Sequence, residues 1–406
     1  MILQSGTFYW PTTLPNRPEY SPLEEDITCD VLIIGGGISG AQCAYILCHT
    51  GLKIVVVEKH KIGSGSTASN TALIQYLGDK MLHELVNSFG EEQAIRHTIL
   101  CRQAINEIEY ASRHLSFDPN FIRRDTLYFA SYEEDVQKLQ NELFYLQKHS
   151  FAVRLLTEKE ISKLYPFQKK AALYLYNDAE INPYIYTIGL LDMAKQKGSN
   201  IYENTEIIGK VFKQDGVIFY TKHRHRIAAK HVIIAAGYEG LLFKKEKNAV
   251  ISSTYSVVTN SVADLSDWYN RTLIWETARP YLYMRTTHDN RIIIGGLDEQ
   301  TSDPQERDAK LIHKKKALIQ EFNKLFPNIH VQPEFTVAAH FGGTHDGLPI
   351  LGIYDTKPNC YFLFGYGDNG TVYSMVLASL IRDIITKGSH PNIDLYLQTR
   401  PMIHIR

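Results

Sequence analysis

Residues Asp30–Gly40 read DVLIIGGGISG, and no other segment of the chain limits its fold so tightly. An apolar run of strand length, Cys29–Ile34, passes directly into glycines at Gly35, Gly37 and Gly40. Ala41–Thr50 then carries a helical pattern, with Gly51 placed to stop it. The first glycine permits a tight turn, the second lets the backbone approach a pyrophosphate, and the third lets helix and strand pack closely. Lys53–Val57 reads as a second strand with Glu58 at its end, which completes a βαβ unit. Phosphates on such a loop meet the free N–H groups of the helix start around Ile38 and Ser39 and are favoured by its dipole. Glu58, beside Lys59, is placed to accept hydrogen bonds from ribose hydroxyls. A carboxylate there repels a 2′-phosphate, which argues against NADP.

The 406 residues allow two joined domains, and 44% apolar with 21% charged residues is ordinary for a folded chain. A net charge of −1 offers no electrostatic reason for a nucleic acid or an anionic membrane as partner. The 5 cysteines form no CxxC pair and no Cys/His metal spacing. Reduced thiols, a cytoplasmic location and no metal site are expected on that basis. The N-terminus lacks the basic start and apolar stretch of a secretory signal, and no apolar run approaches the roughly 20 residues of a membrane span.

Residues 1–28, rich in Pro, aromatic and acidic side chains, read as an ordered arm. Helical patterns cover 79–115, 132–149, 158–164, 183–197, 309–326 and 371–386, the fourth opened by Asn182 as N-cap and Pro183 in the first turn. Strand patterns cover 124–130, 200–202, 206–213, 216–221, 232–236, 250–260, 281–297 and 360–364, with a turn expected at Asp289-Asn290. Strands near 30, 55, 205, 233 and 362 suit one α/β sheet, and the segments at 120–180 and 250–337 suit a second, largely antiparallel layer.

Four further segments carry a family resemblance. Gly63–Ala72 reads GSGSTASNTA, a loop of small and hydroxyl-bearing residues. Val232–Gly237 is a strand ending in Ala-Ala-Gly, with Thr205-Glu206-Ile207 ahead of it. Asp346–Gly352 reads DGLPILG, and Gly365–Gly370 reads GYGDNG before a helix. In this order, over residues 30–386, they resemble the D-amino-acid-oxidase family of FAD-dependent flavoenzymes. Residues 8–37 also resemble the N-terminal arm of the branch containing gamma-glutamylputrescine oxidases, and the substrate strand described next resembles that of glycine oxidases.

The resemblance implies an α/β fold: a Rossmann-like, glutathione-reductase-type FAD-binding domain (29–118, 185–245 and 338–390) interleaved with an α+β substrate domain (119–184 and 246–337) having a mainly antiparallel sheet. An arm (1–28) and a tail (391–406) complete the chain. It implies that Gly65, Ser66, Thr67, Asn70 and Leu73 wrap the pyrophosphate and flavin edge, that Ile207 meets the adenine, and that Ala236, Gly237 and Gly343 lie at the cofactor. Gly365, Gly367, Asp368, Asn369, Gly370 and Thr371 then present N–H groups to negative charge at the reduced flavin.

On the substrate side, Arg279–Arg285 followed by Arg291–Gly296 matches the hairpin that lines the pocket in glycine-oxidase-like members. Alternation puts Tyr281, Tyr283 and Arg285 on one face, either over the flavin or in the core. Those members clamp a substrate carboxylate with an arginine where this chain has Phe341, and phenylalanine offers no guanidinium fork. Arg279 or Arg285 then takes that role, or the substrate is an amine. His340 and His345 are polar candidates nearby. Ala339 and Ser69 stand where some members carry the cysteine or histidine that links flavin covalently, so a non-covalent FAD is expected.

The implied reaction is oxidation of a C–N bond in a small amine or amino acid, with O2 or another acceptor taking the electrons. A dehydrogenase feeding a quinone or protein, and a non-catalytic flavoprotein, are the alternatives. Modification of tRNA is disfavoured by the neutral charge. A homo-oligomer is compatible with all of these.

Overall fold

The computed structural model describes residues 2–78, 80–213 and 216–401. Met1 of the arm, residue 79 at the start of the first long helical pattern, and residues 402–406 of the tail lie outside the described residues.

Among the described residues the chain forms two sheets, one of eight strands and one of ten. In the first, Cys360–Phe364, Arg226–Ile234, Ile27–Ile34, Ile54–Val57 and Asn200–Tyr202 run parallel in that order. Such strands are covered on both faces, which explains their nearly unbroken apolar sequences. Val31, Ile33, Ile54 and Val56 point into a core shared with helices Ile38–Leu47, Pro183–Gln196 and Gly370–Lys387. Leu32, Ile34, Val55 and Val57 point the other way, toward Val217 and Phe219 of the hairpin Ile207–Lys213/Gly216–Thr221. Asn182 caps its helix as expected, its side chain accepting from the Tyr184 and Ile185 amides at 3.1 and 3.0 Å.

The ten-stranded sheet has Pro333–Thr344, Ala249–Thr259, Ile292–Glu299, Leu282–Thr286 and Leu273–Glu276 as antiparallel neighbours. Leu273–Glu276 then joins Ile122–Phe129 in parallel, and Ala171–Glu180 continues the sheet. One face buries Leu282, Met284, Ile292 and Ile294 under helix Leu311–Leu325, where Trp268 stacks on Phe326 at 4.5 Å. The other face looks toward the parallel sheet.

Several elements differ in extent from the sequence reading. The 79–115 pattern is two helices, Leu82–Phe89 and Glu91–Ser112, meeting at Gly90. The arm contributes a strand, Gln4–Gly6, paired with Val337–Ala339. Pro333–Thr344 runs through the boundary expected at 338, because it pairs with Ala249–Thr259 along its length. No helix among the described residues is long and apolar enough to cross a membrane.

Candidate cofactor and substrate cavity

A cavity of about 710 Å³ lies between the two sheets. Its floor is the strand–loop–helix at Ile34–Gly40. A Cβ on Gly40 would stand 1.9 Å from the Gly35 carbonyl oxygen, and one on Gly35 would stand 2.3 Å from that of Ala235. These positions accept no side chain, which is the requirement the glycine spacing anticipates. Gly35, Gly37, Ile38 and Ser39 line the cavity. Gly40 lies behind them as the packing contact between helix and turn. The Ser39 hydroxyl meets that of Ser374 at 2.7 Å, tying the first helix to the last.

At the end of the second strand, Glu58 Oε2 accepts the Gly36 amide and Oε1 accepts the His60 amide, both at 2.8 Å. A carboxylate oxygen has two lone pairs, so each keeps acceptor capacity for a sugar hydroxyl. Lys59 also lines the cavity and pairs with Glu239 at 2.6 Å. Ile207, Ala236 and Gly237 complete this end.

The loop after the second strand supplies Gly65, Ser66, Thr67, Asn70 and Leu73. Thr67 Oγ1 accepts the Ile38 amide at 3.0 Å, which leaves its hydroxyl proton to offer a ligand oxygen. Nothing lies within 4 Å of a Cβ built on Gly65, so that backbone faces open space. Asn70 Nδ2 donates to Thr371 Oγ1 at 3.0 Å and Asn70 Oδ1 accepts the Ala72 amide at 2.7 Å. From the C-terminal loop, Gly365, Gly367, Asp368 and Gly370 line the cavity. Asn369 and Thr371 stand behind this loop: Asn369 Nδ2 donates to the Gln75 carbonyl, and the Thr371 carbonyl accepts from Gln42 at 3.0 Å. Gly343 is not among the lining residues, although its neighbour Gly342 accepts the Gly367 amide at 2.7 Å.

The roof is the ten-stranded sheet. Tyr281 and Tyr283 face the cavity together with Thr254, Trp275, Asp298, Ala339, His340 and Phe341. Burial, the nearby Asp298 charge and hydrogen bonds with Thr71 and Thr254 act on the Tyr283 hydroxyl, and the net effect lifts its pKa well above the usual phenol range. Arg285 shares their strand face but lies outside the cavity. Its side chain is 2% exposed and donates to the Thr71, Thr286 and Ile181 carbonyls at 2.7, 3.1 and 2.9 Å. Arg279 likewise donates to the Glu276, Thr277 and Ala278 carbonyls, with its guanidinium 4.9 Å from the Tyr281 ring centre. His345 is exposed and away from the cavity, whereas His340 is buried in its wall.

Three contributors have no counterpart in the sequence reading. Trp275 sits on a four-residue strand too short to show a period. Asp298 follows a glycine pair inside a strand, a signal of irregular pairing that went unused. The arm reaches the cavity through Ile2, Leu3 and Gln4, and Gln4 Nε2 donates to the Ser64 and Gly65 carbonyls at 2.9 and 3.1 Å.

The family model for FAD-dependent oxidoreductases of the DAO type matches residues 30–384, which include every lining residue of the cavity except those of the arm. The chain belongs to the DAO family of FAD-dependent oxidoreductases. As a DAO-family chain it is 26% identical over 402 residues to the putative Rieske 2Fe-2S iron-sulfur protein YhfW of Bacillus subtilis, covering 97% of this chain and 75% of that one. It is 23% identical over 401 residues to gamma-glutamylputrescine oxidoreductase of Escherichia coli, covering 96% and 90%. Among solved structures, L-proline dehydrogenase from P. horikoshii superposes with a TM-score of 0.77 at 20% identity, covering 93% and 98%. Glycine oxidase from Geobacillus kaustophilus superposes with a TM-score of 0.74 at 19% identity, covering 90% and 96%. These likenesses establish the fold, and the family establishes FAD as the cofactor that the glycine floor, Glu58 and the hydroxyl-bearing loop fit.

Proposed function

We propose that this DAO-family oxidoreductase oxidises the C–N bond of an amine or amino acid to an imine, which water then hydrolyses to a carbonyl compound and a free amine. The observation that carries this reading is the aromatic roof of Trp275, Tyr281 and Tyr283 standing in the same cavity as the glycine floor. Bound FAD supplies an acceptor for two electrons and a proton's worth of hydrogen, delivered as hydride from the carbon beside nitrogen. O2 or another acceptor would take up those electrons.

The protein's own residues position and shield. The helix start offers its Ser39 N–H to a diphosphate, and Thr67, whose Oγ1 accepts the Ile38 amide, offers its hydroxyl proton beside it. Glu58 orients the ribose. Burial favours the protonated form of Tyr283, which suits its hydroxyl to donating a hydrogen bond. The substrate nitrogen must be neutral when hydride leaves, with its lone pair available. The buried apolar parts of the roof exclude water and hold the reacting carbon in place.

The test is anaerobic mixing of the FAD-loaded protein with panels of amines and amino acids. Bleaching of the flavin absorbance by a member of the panel, with the matching carbonyl product recovered, supports the reading. A panel that leaves the flavin oxidised, in protein that dithionite still reduces, overturns it.

A further inference from the structure

Asp178 is a carboxyl 1% exposed within the roof sheet. Its strand, Ala171–Glu180, lies between Ile122–Phe129 on one side and Leu73–Ile74 on the other. The register with Ile122–Phe129 slips: Arg124 pairs with Asp178 and Thr126 with Leu175, so a step of two residues meets a step of three. The extra residue is absorbed where Asn177 takes a left-handed backbone (φ +71°). Asp178 thereby comes to the face of Leu175 and Thr126, where regular pleating would have turned it away.

The Thr126 hydroxyl donates to Asp178 Oδ2 at 2.6 Å, and the Tyr76 amide donates to Oδ1 at 3.1 Å. Arg124, opposite Asp178 in the register, pairs with Glu180 instead. Burying a carboxylate without a cation is costly. Burial, with Asp125 nearby, pushes the Asp178 pKa up to about 7 against the Thr126 and Tyr76 hydrogen bonds. Above that value the carboxylate can only accept, so Thr126 spends its one proton on it. Thr126 Oγ1 keeps a lone pair, and Gln75 Nε2 donates to it at 3.3 Å. The order of donors fixes which way round the Gln75 amide lies, with its NH2 on the buried pair and its oxygen on the other side. Gln75 is half-buried and lines the cavity, and its Oε1 meets no donor among the described residues. Asn369, from the loop whose glycines also line the cavity, donates to the Gln75 main-chain carbonyl and anchors the residue there.

We propose that Gln75 is a substrate-contacting residue of the oxidation: its Oε1 accepts an N–H of the reacting amine, and Thr126 and Asp178 are the positioning residues that keep that oxygen, and not the NH2, toward the cavity. This rests on the oxidative C–N reading for what the amine then undergoes. An acceptor on the nitrogen's own proton fixes the direction of its lone pair. A neutral amide suits this role, because a carboxylate at the same place would favour the charged ammonium and tie up that lone pair.

The experiment uses the FAD-loaded protein at about pH 8 with aniline and toluene, which share a shape and differ in the N–H group. Aniline is uncharged there, and neither compound has a C–H beside nitrogen, so both report binding without turnover. Dissociation constants come from perturbation of the flavin absorbance. Gln75→Leu should weaken aniline relative to toluene by roughly two- to tenfold. Thr126→Val should do the same, Thr126→Ser should not, and adding Thr126→Val to Gln75→Leu should change the ratio no further. A structural lesion alone would weaken both compounds alike. If the Thr126 variants do not fold, Gln75→Leu decides, since it alters a side chain on the cavity wall. Aniline that leaves the flavin spectrum unperturbed overturns the proposal. An unchanged ratio in Gln75→Leu, in protein whose flavin an amine still bleaches, overturns the contact and leaves C–N oxidation standing. The expected change in protein that no amine bleaches overturns the oxidative reading and keeps the contact.

Discussion

Glu58 holds the glycine loop as well as waiting at its edge: its Oε2 accepts the Gly36 amide at 2.8 Å. The residue proposed to receive the ribose is thus already braced against the turn proposed to receive the diphosphate. Glu58→Ala removes both functions. Hydrogen bonds to a charged group are worth about 1.5–3 kcal/mol, so FAD affinity should fall by about one to two orders of magnitude. Flavin-to-protein ratio after purification and titration of the apoprotein with FAD measure it. Unchanged affinity would remove Glu58 from the ribose.

Gly40 and Gly65 separate folding from cofactor binding. Gly40→Ala drives a methyl into the Gly35 carbonyl, 1.9 Å away. Overpacking of that kind costs about 1–3 kcal/mol or more, and the variant should melt several degrees lower even without FAD. Gly65→Ala meets nothing within 4 Å in the protein itself. Its apoprotein should melt like the parent, and only its FAD affinity should drop. Equal losses of apoprotein stability in both variants would contradict this.

The raised Tyr283 pKa gives a rate prediction with a sign. If the substrate must arrive as free amine and no side chain takes its proton, kcat/KM rises tenfold per pH unit until the amine's own pKa. Two substrates of different amine pKa should shift the break point by that difference. Tyr283→Phe should lower the rate without moving the break. A break that stays fixed across substrates would reveal an enzymic base.

Arg400 and Asp346 fasten the C-terminal segment to the loop beneath the cavity. Arg400 places Nη2 on Asp346 Oδ1 at 2.7 Å and Nε on Oδ2 at 2.8 Å, with 4% and 1% of their side chains exposed. Burial works to raise the Asp346 carboxyl, but the Arg400 fork outweighs it and holds the pKa below the ordinary range. A depressed folded pKa means stability present above the unfolded carboxylate range and lost as pH falls through and below it. Arg400→Met leaves a buried charge without its partner and should cost about 3–5 kcal/mol at neutral pH. Its melting temperature should depend less on pH below 5 than that of the parent.

His97 adds a second acid-sensitive group. Complete burial drops its pKa to about 3, with Nδ1 2.9 Å from the Tyr396 hydroxyl. The neutral ring is the stable form, so stability falls as pH drops below the unfolded value near 6.5. His97→Gln should flatten the stability profile between about pH 3 and 6.5 in urea unfolding. An unchanged slope there would assign the acid loss elsewhere.

The sequence carries the floor of the cavity far better than its roof. Gly35, Gly37 and Glu58 answer to a local rule, strand, turn, helix, strand, whose chemistry is complete within 30 or so residues. Tyr281 and Tyr283 were also readable, because period-2 alternation holds along Leu282–Thr286. Alternation failed for Arg285, which shares their face yet spends its guanidinium on carbonyls of Thr71 and Ile181 that come from distant segments. It failed again for Asp298, where one extra residue in the strand reversed the parity. Gln4 was hidden because its partners, the Ser64 and Gly65 carbonyls, lie 60 residues or more away. In each case the missing information was long-range pairing, which no local pattern encodes.

The order of strands has a consequence for dissection. Each sheet borrows from segments on either side of the other: Ile27–Ile34 joins Cys360–Phe364 through Arg226–Ile234, while Gln4–Gly6 closes against Pro333–Thr344. No single cut separates one sheet from the other. Truncation libraries or protease nicking should yield whole molecules or insoluble fragments, and new specificities would have to be grafted loop by loop rather than swapped as modules.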